Sequence, residues 1–227
     1  MDRNNFWRQF VFNNRYFFIP FFILLFIFCS LTVLYGNSAV FHIVNNTHSP
    51  FTDFLFVSFS DLGDGLLAFV LVFILLWISF REALTLLVIT LIIITLIAVF
   101  KRYLFIDFHR PLFYFGEQMI RIVPGYNPPK LHTFPSGHTA TAFSVYLYLS
   151  FLARNNSLKF SLFLVAALIG YSRIYLAAHF PADVIGGSVL ATLVTVVVYV
   201  LSRRINNSWI DQRLIINFFR GIRRQTA

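Results

Sequence analysis

Six long apolar runs constrain this chain more than any other feature of its sequence. A helix needs about 20 apolar residues to cross a bilayer, and these runs reach or approach that length. We expect the first run to be retained as a span, because it is too long for a signal peptide and lacks small residues at its end. The pattern predicts an all-α polytopic membrane protein of one domain, residues 1–227, with six transmembrane helices. The predicted spans cover about residues 16–35, 65–80, 83–100, 137–152, 160–176 and 182–201.

The overall composition excludes an ordinary soluble domain. Hydrophobic residues make up 58% of the 227 residues and charged residues only 12%, and the mean hydropathy is +0.75. One core of this size cannot bury so many apolar side chains, so lipid must form part of the solvent. The single cysteine, Cys29, lies inside an apolar run, which leaves no disulfide and no cysteine zinc site.

The net charge of +9 does not indicate a nucleic-acid partner. The Lys and Arg residues flank the apolar runs instead of forming one continuous basic stripe. Anionic lipid headgroups and the topology of insertion account better for the basic ends of the chain. We therefore expect the lipid bilayer, and no nucleic acid, as the chain's surroundings, and we leave the oligomeric state open.

Residues 37–62 mix polar residues with aromatic ones and interrupt the apolar pattern. This mixture of polar and aromatic residues predicts an amphipathic segment that lies at the membrane interface between the first and second spans. The nearby carboxylates Asp53, Asp61 and Asp64 do not have the spacing of a metal cage, so we expect them to cap helices or face solvent. The sequence predicts neither a metal site nor a cofactor.

The distribution of Lys and Arg predicts the orientation. Twelve of the 18 lie at the N-terminus, in the turns near residues 81 and 154–159, and in the tail after residue 202. Six crossings place both termini on one side, which this count makes cytoplasmic. The other six residues then face the exterior, and an anionic ligand is the simplest reason to keep them there. They are Lys101, Arg102, Arg110, Arg121, Lys130 and Arg173.

A Pro-Ser-Gly-His segment on this outer face begins the fourth span. Ser136 has the side chain of a helix N-cap, and the free N–H groups at such an end favour a bound anion. Gly137 allows a close approach of the backbone, and His138 on the first turn can donate a proton to a departing oxygen.

A second cluster on the same face contains Arg173, His179 and Asp183, between the fifth and sixth spans. A carboxylate can keep one ring nitrogen of a histidine protonated and leave the other free to attack. A satisfied interfacial cluster is the alternative interpretation of these residues alone. With the cations after the third span and His138, however, the set is that of a phosphoryl-transfer site.

These clusters resemble the signatures of the type 2 phosphatidic acid phosphatase (PAP2) superfamily, which includes lipid phosphatases, glucose-6-phosphatase and vanadium haloperoxidases. The second and third signatures match at full spacing: residues 135–138, and residues 172–173 followed by His179 and Asp183. The first signature is Lys, six residues, then Arg-Pro, and the chain departs from it. Eight residues separate Lys101 from Arg110. Either two residues bulge out and Lys101 keeps its role, which we prefer, or Arg102 substitutes for it.

The resemblance implies a role for each matching residue. His179 would be the nucleophile that forms a phosphohistidine, Asp183 would orient it, and His138 would be the general acid for the leaving group. The other matching residues would bind the phosphate: Lys101, Arg110, Ser136, the Gly137 amide and Arg173. The reaction would need no metal.

The resemblance also implies a function: hydrolysis of a phosphate monoester or diphosphate on a membrane lipid. We expect a bacterial cytoplasmic membrane, and the orientation predicted from Lys and Arg then places the site at its periplasmic or outer face. Phosphatidate, phosphatidylglycerol phosphate, a prenyl diphosphate and a lipid A phosphate are all candidate substrates. Two alternatives remain: a lipid phosphotransferase that uses the same site, and a non-enzymatic protein that binds an anion or a lipid. Simple binding needs neither histidine, which disfavours the second alternative.

Overall fold

The computed structural model describes residues 3–207 and residue 210. Within these residues the chain forms helices and loops, with no β-strand. The helices, in chain order, are α1 (Arg3–Asn13), α2 (Arg15–Tyr35), α3 (Asn37–Asn46), α4 (Pro50–Asp61), α5 (Gly65–Ile78), α6 (Phe80–Val99), α7 (Pro111–Phe115), α8 (Gly137–Leu152), α9 (Asn156–Tyr175) and α10 (Pro181–Arg204). A five-residue π-helical turn, Phe100–Leu104, extends α6. The basic tail after residue 210 lies outside the described residues.

Four helices are long and apolar enough to cross a membrane: α2, α6 with its π-helical extension, α9 and α10. Helices α4 and α5 together pass the same test as a fifth, with a bend of 53° between them. The chain is therefore an integral membrane protein. The predicted spans at 65–80 and 137–152 correspond to α5 and α8, which have 14 and 16 residues and are shorter than a full crossing. The total of six crossings stays a prediction.

Helix α8 is the central element of the bundle. Most of its residues are buried, from Thr139 near its start to Ser150 near its end, and it packs against α6, α9 and α10. A helix that is buried on every side belongs in the middle of a structure. An edge-to-face ring contact joins it to α2, where Phe17 meets Phe143 with ring centroids 6.4 Å apart.

A second apolar cluster lies at one end of the bundle and holds the long loop between α7 and α8 in place. Leu112, Ile120 and Val123 pack against the junction of α9 and α10, which contributes Tyr175 and Phe180. Burial of these side chains gives an otherwise irregular segment a fixed position. The ends of α6 and α9 and the beginnings of α8 and α10 therefore meet under one packed loop.

The junction between α5 and α6 differs from the prediction. We expected Arg81-Glu82 to form the turn, but the break is at Ser79 and both residues belong to α6. Glu82 forms an ion pair with Arg203 at 2.7 Å, and Arg81 donates to the carbonyl of Ile205 at 2.8 Å. These contacts join the start of α6 to the end of α10, and that tertiary pairing explains why both residues are helical.

Residues 37–62 form two helices, α3 and α4, and their interfacial location stays a prediction. Gly36, with φ of +85°, makes the corner between α2 and α3, in a region that favours glycine. Asp64 caps α5 by accepting from the Leu66 amide at 2.9 Å, as expected for a carboxylate at this position. Asp53 lies on the first turn of α4 and forms an ion pair with Arg121 on the long loop, which the sequence analysis did not predict.

Candidate active site

Lys101 lies in the π-helical turn at the end of α6, which the Phe105 amide closes by donating to the Phe100 carbonyl at 2.8 Å. The hydrogen bond of a π turn spans one more residue than that of an α-helix, so the turn absorbs part of the extra length before Arg110. Lys101 is half-buried and its charge acts on His179, whereas Arg102 is exposed. The geometry therefore favours Lys101 over Arg102 as the basic residue of this cluster.

Arg110 is buried and connects the loop to the junction of α9 and α10. Its Nε donates to the carbonyl of Leu131 at 2.9 Å, and its Nη1 donates to the carbonyl of Ala178 at 3.0 Å. Within the described residues, Nη2 has no protein acceptor. The side chain is thus held in place by backbone groups, with donor capacity left for a ligand.

Ser136 begins α8 as the sequence predicts, and its hydroxyl accepts from the Thr139 amide. The Ser136 amide donates to the carbonyl of Asp183 at 3.0 Å, which fixes the start of α8 against the start of α10. Around Gly137, an added Cβ would meet only Ile97, at 3.7 Å, so the backbone there is open to close approach. His138 follows on the first turn and is half-buried.

Arg173 lies on the last turn of α9 and is 3% exposed. Its Nη1 donates to the hydroxyl of Ser60, and its Nη2 donates to the hydroxyl of Tyr126 at 2.9 Å. Its Nε is buried and has no hydrogen-bond partner among the described residues. A buried donor without an acceptor is costly, and an anionic ligand would satisfy it.

His179 lies in the turn between α9 and α10, and Asp183 lies on the first turn of α10. The turn follows the end of α9 at Tyr175, and the amide of His179 donates back to the Arg173 carbonyl at 3.0 Å. The Nδ1 atom of His179 is 3.3 Å from Oδ2 of Asp183, and the same oxygen accepts from the Phe180 amide at 2.8 Å. This contact directs Nε2 of the ring away from the carboxylate.

The electrostatics of the cluster favour an anion and a neutral imidazole. Burial, followed by the charges of Arg110, Lys101 and Arg173, lowers the pKa of His179 well below its ordinary value. Burial and the neighbouring Arg173 lower the pKa of Arg110 to about 10. In the part of the chain that the structure describes, no carboxylate lies within 4 Å of the charged groups of these three cations. Bound phosphate would supply the missing negative charge.

The structure brings together all the residues expected at this site except Arg102. It also adds residues that the sequence analysis did not identify, namely Ser60 and Tyr126 as partners of Arg173, and Thr133, whose Oγ1 is 3.1 Å from Nδ1 of His179. No local signal identified them, because they are ordinary polar residues whose partners are 46 to 113 positions away. Between residues 3 and 207, no group of three or more His, Cys, Asp or Glu side chains is placed to hold a metal ion.

Comparison with known families decides what kind of protein carries this arrangement. The model of the PAP2 superfamily matches residues 82–207, a segment that contains Lys101, Arg110, His138 and the whole cluster from Arg173 to Asp183. The chain belongs to the PAP2 superfamily. The match covers more than half of the chain, and α1 to α5 precede it.

Curated PAP2 relatives match shorter segments. The lipid A 4′-phosphatase of Porphyromonas gingivalis is 34% identical over 91 residues, which is 40% of this chain and 38% of that protein. The undecaprenyl-diphosphatase BcrC of Bacillus subtilis is 36% identical over 62 residues, which is 27% of this chain and 31% of that protein. This chain thus spans less than half the length of these curated relatives.

Solved PAP2 structures match a larger share of the fold. The crystal structure of Aquifex aeolicus LpxE superposes with a TM-score of 0.59 and 30% identity, over 72% of this chain and 94% of that one. A transmembrane PAP2-type phosphatidylglycerolphosphate phosphatase from Bacillus subtilis superposes with a TM-score of 0.58 and 22% identity, over 85% and 99%. The second similarity supports the fold alone.

Proposed function

We propose that this chain is a membrane lipid phosphatase that hydrolyses a phosphate monoester or diphosphate through a phosphohistidine, without a metal. One observation carries the proposal: buried His179 is held through Nδ1 by Asp183, among three cations that have no carboxylate partner within the described part of the chain. The matched relatives are named as phosphatases of lipid A, phosphatidylglycerophosphate and undecaprenyl diphosphate. Phosphate transfer from a lipid is the chemistry that this combination supports best.

In the first step, the lone pair on Nε2 of His179 attacks the phosphorus atom and forms an N–P bond. The bond from phosphorus to the lipid oxygen breaks, and its electron pair stays on that oxygen. His138, as the general acid, supplies a proton to the departing oxygen. Asp183 stabilises the positive charge that develops on the His179 ring, while Lys101, Arg110 and Arg173 stabilise the charge on the phosphoryl oxygens.

In the second step, a water molecule attacks the phosphorus and the N–P bond breaks. The electron pair of that bond returns to Nε2, and the proton lost by the water passes to His138. Inorganic phosphate leaves, and both histidines are again in their starting states. His138 thus exchanges the roles of acid and base between the two steps.

The substrate class is supported by the exposed apolar side chains on the rim of the site. Tyr103, Phe108, Phe113, Tyr114 and Met119 lie on the segments that carry Lys101 and Arg110, and each is more than half exposed. Exposed aromatic residues at a membrane surface sit at the level of the lipid headgroups. A lipid that diffuses in the bilayer would meet this rim with its phosphate next to the cations.

The proposal places the site on the outer or periplasmic face of a bacterial cytoplasmic membrane, with both termini in the cytoplasm and six crossings. A cysteine accessibility assay tests this orientation in the Cys29→Ser background. A membrane-impermeant maleimide applied to intact cells should label Glu117→Cys on the long loop and should not label Arg154→Cys between α8 and α9. Both positions are exposed, so the difference reports the side of the membrane. Labelling with the opposite preference would invert the proposed orientation.

Phosphate release from purified protein tests the activity itself. Wild type and His179→Ala are assayed in EDTA with phosphatidate, phosphatidylglycerol phosphate, a prenyl diphosphate and a lipid A phosphate. Release by the wild type alone supports hydrolysis without a metal. A phosphorylated acceptor lipid, detected by mass spectrometry only when an acceptor is present and without free phosphate, would instead indicate a phosphotransferase. Lipid binding without any turnover would indicate a binding protein.

A further inference from the structure

Thr133 lies in the loop just before α8 and touches both His179 and Asp183. Its Oγ1 is 3.1 Å from Nδ1 of His179 and donates a hydrogen bond to Oδ2 of Asp183. The direct contact between Nδ1 and Oδ2 is longer, at 3.3 Å. The hydroxyl therefore completes a three-membered cluster in which the closest partner of the histidine nitrogen is the threonine.

The position of this hydroxyl is fixed by its surroundings. Thr133 is 2% exposed, and its amide donates to the carbonyl of Phe108 at 2.9 Å. The next residue, Phe134, packs against α10 so closely that a Cβ on Gly186 would lie 2.5 Å from its ring. A side chain held on both sides in this way cannot turn its hydroxyl far from the His179–Asp183 pair.

Counting protons then restricts the state of the imidazole. The Phe180 amide can only donate to Asp183, and Thr133 has one proton, which it gives to the same carboxylate oxygen. The lone pairs of the threonine oxygen then face Nδ1, so Nδ1 must carry a proton to avoid an unfavourable contact. In the opposite tautomer the proton is on Nε2, and Nδ1 would have to accept a hydrogen bond from the threonine hydroxyl, which has no second proton to donate. The arrangement therefore leaves the lone pair on Nε2, the nitrogen that attacks.

We propose that Thr133 is a positioning residue that fixes the tautomer and orientation of His179 through its shared contacts with the ring and with Asp183. The inference rests on the proposed phosphatase function and adds a residue to its machinery. Thr133 does not touch the phosphate in this account. Its effect should appear in the rate of the chemical step and not in substrate binding.

Three substitutions separate positioning from packing. Thr133→Val keeps the shape but removes the hydroxyl, and it should lower kcat by about 10- to 100-fold, the scale found for groups that orient metal-bound histidines. Thr133→Ser keeps the hydroxyl and should recover most of the lost rate. Thr195→Val is the matched control, because Thr195 is fully buried in α10 and its hydroxyl has no partner among the described residues.

The assay is phosphate release in EDTA from the best lipid substrate, with kcat and KM measured separately and the thermal unfolding midpoint recorded for each variant. We expect a loss in kcat for Thr133→Val at nearly unchanged KM, slower formation of the phosphoenzyme in a single turnover, and wild-type behaviour for Thr195→Val. If Thr133→Val does not fold, Thr133→Ala should show the same loss of kcat.

Each other result overturns the inference. Wild-type kcat in the folded Val or Ala variant would show that the hydroxyl is not needed. An equal loss in Thr133→Ser, or a loss confined to KM, would show that the methyl group or substrate contact matters instead. The wild type could be active, with His179→Ala inactive and Thr133→Val unaffected. That result would refute only the role of Thr133 and not the proposed function. An inactive wild type would refute the proposed function and this inference with it.

Discussion

Gly187 on α10 lies so close to Ser136 that a Cβ at this glycine would be 2.6 Å from the carbonyl oxygen of Ser136. Real Cβ atoms do not approach a backbone oxygen so closely, so only glycine fits. The contact brings the start of α10 against the start of α8, where the Ser136 amide donates to the carbonyl of Asp183 at 3.0 Å. One small residue thus permits the approach that places Asp183 beside the Ser136–His138 segment.

Gly187→Ala should therefore destabilise the protein and reduce phosphatase activity together. The added methyl forces two helix ends apart, and such overpacking costs about 1–3 kcal/mol. Thermal unfolding in detergent and phosphate release measure the two effects. Gly65→Ala on α5 is the matched control, since a Cβ there has nothing within 4 Å, and it should behave as wild type. A Gly187→Ala variant that matches wild type in both measurements would contradict the close contact.

Lys101→Met and Arg102→Met compare the two candidates for the first basic position. Lys101 is half-buried and its charge acts on His179, whereas Arg102 is exposed. We expect Lys101→Met to lower kcat/KM by roughly 100-fold, the scale for removing one charge-stabilising donor. Arg102→Met should stay within about twofold of wild type, as for other exposed substitutions. The reverse order of effects would assign the role to Arg102.

The ion pair between Asp53 and Arg121 should hold the long loop over the site. Nη1 and Nη2 of Arg121 each donate to a carboxylate oxygen of Asp53, the Nη1 bond at 2.8 Å, and so join the loop to α4. The hydroxyl of Tyr175 donates to the same carboxylate. A double-mutant cycle with Asp53→Asn and Arg121→Gln should give a coupling of roughly 1–3 kcal/mol in the free energy of unfolding. The exposed loop variant Glu117→Gln is the control. Additive effects of the two substitutions would mean that the pair does not stabilise the loop.

The pH dependence should follow the low pKa of His179. Burial and three nearby cations keep this imidazole neutral, so the nucleophile stays unprotonated as the pH falls below about 6.5, the ordinary value for histidine. The acid limb of kcat/KM should therefore have its midpoint below 6.5. The profile is measured only where the wild type remains folded. A midpoint above 6.5 would contradict a neutral, buried nucleophile.

The helices that contain apolar runs could be predicted from the sequence. So could the site residues whose side chains carry a charge or a ring nitrogen. The helix starts at Ser136 and Pro181 carry local signals, a capping hydroxyl and a proline suited to the first turn. The start at Ser136 occurs where predicted, and α10 begins one residue before the predicted span at 182–201. The matching signals at Ser49 and Pro50, which begin α4, were present but were interpreted as an interruption. Local chemistry along the chain therefore locates much of the site.

The remaining features depend on partners that are distant in the sequence. Thr133 gains its significance only because Asp183 and His179 fold against it, and Asp53 finds Arg121 across 68 positions. The π-helical turn that carries Lys101 has no distinct composition from which it could be predicted. Such features arise from tertiary packing, which periodicity and propensity do not encode.

Trapping the phosphoenzyme tests the central claim, that His179 is the nucleophile, most directly. Wild type, His179→Gln and His138→Gln are mixed with a substrate labelled in its terminal phosphate, quenched in alkali, and analysed for label on the protein. The account predicts a protein-bound phosphate in the wild type that is stable in base and lost in acid, as a phosphoramidate is. It predicts none in His179→Gln. Label that persists in folded His179→Gln, or that maps to another residue, would contradict the account.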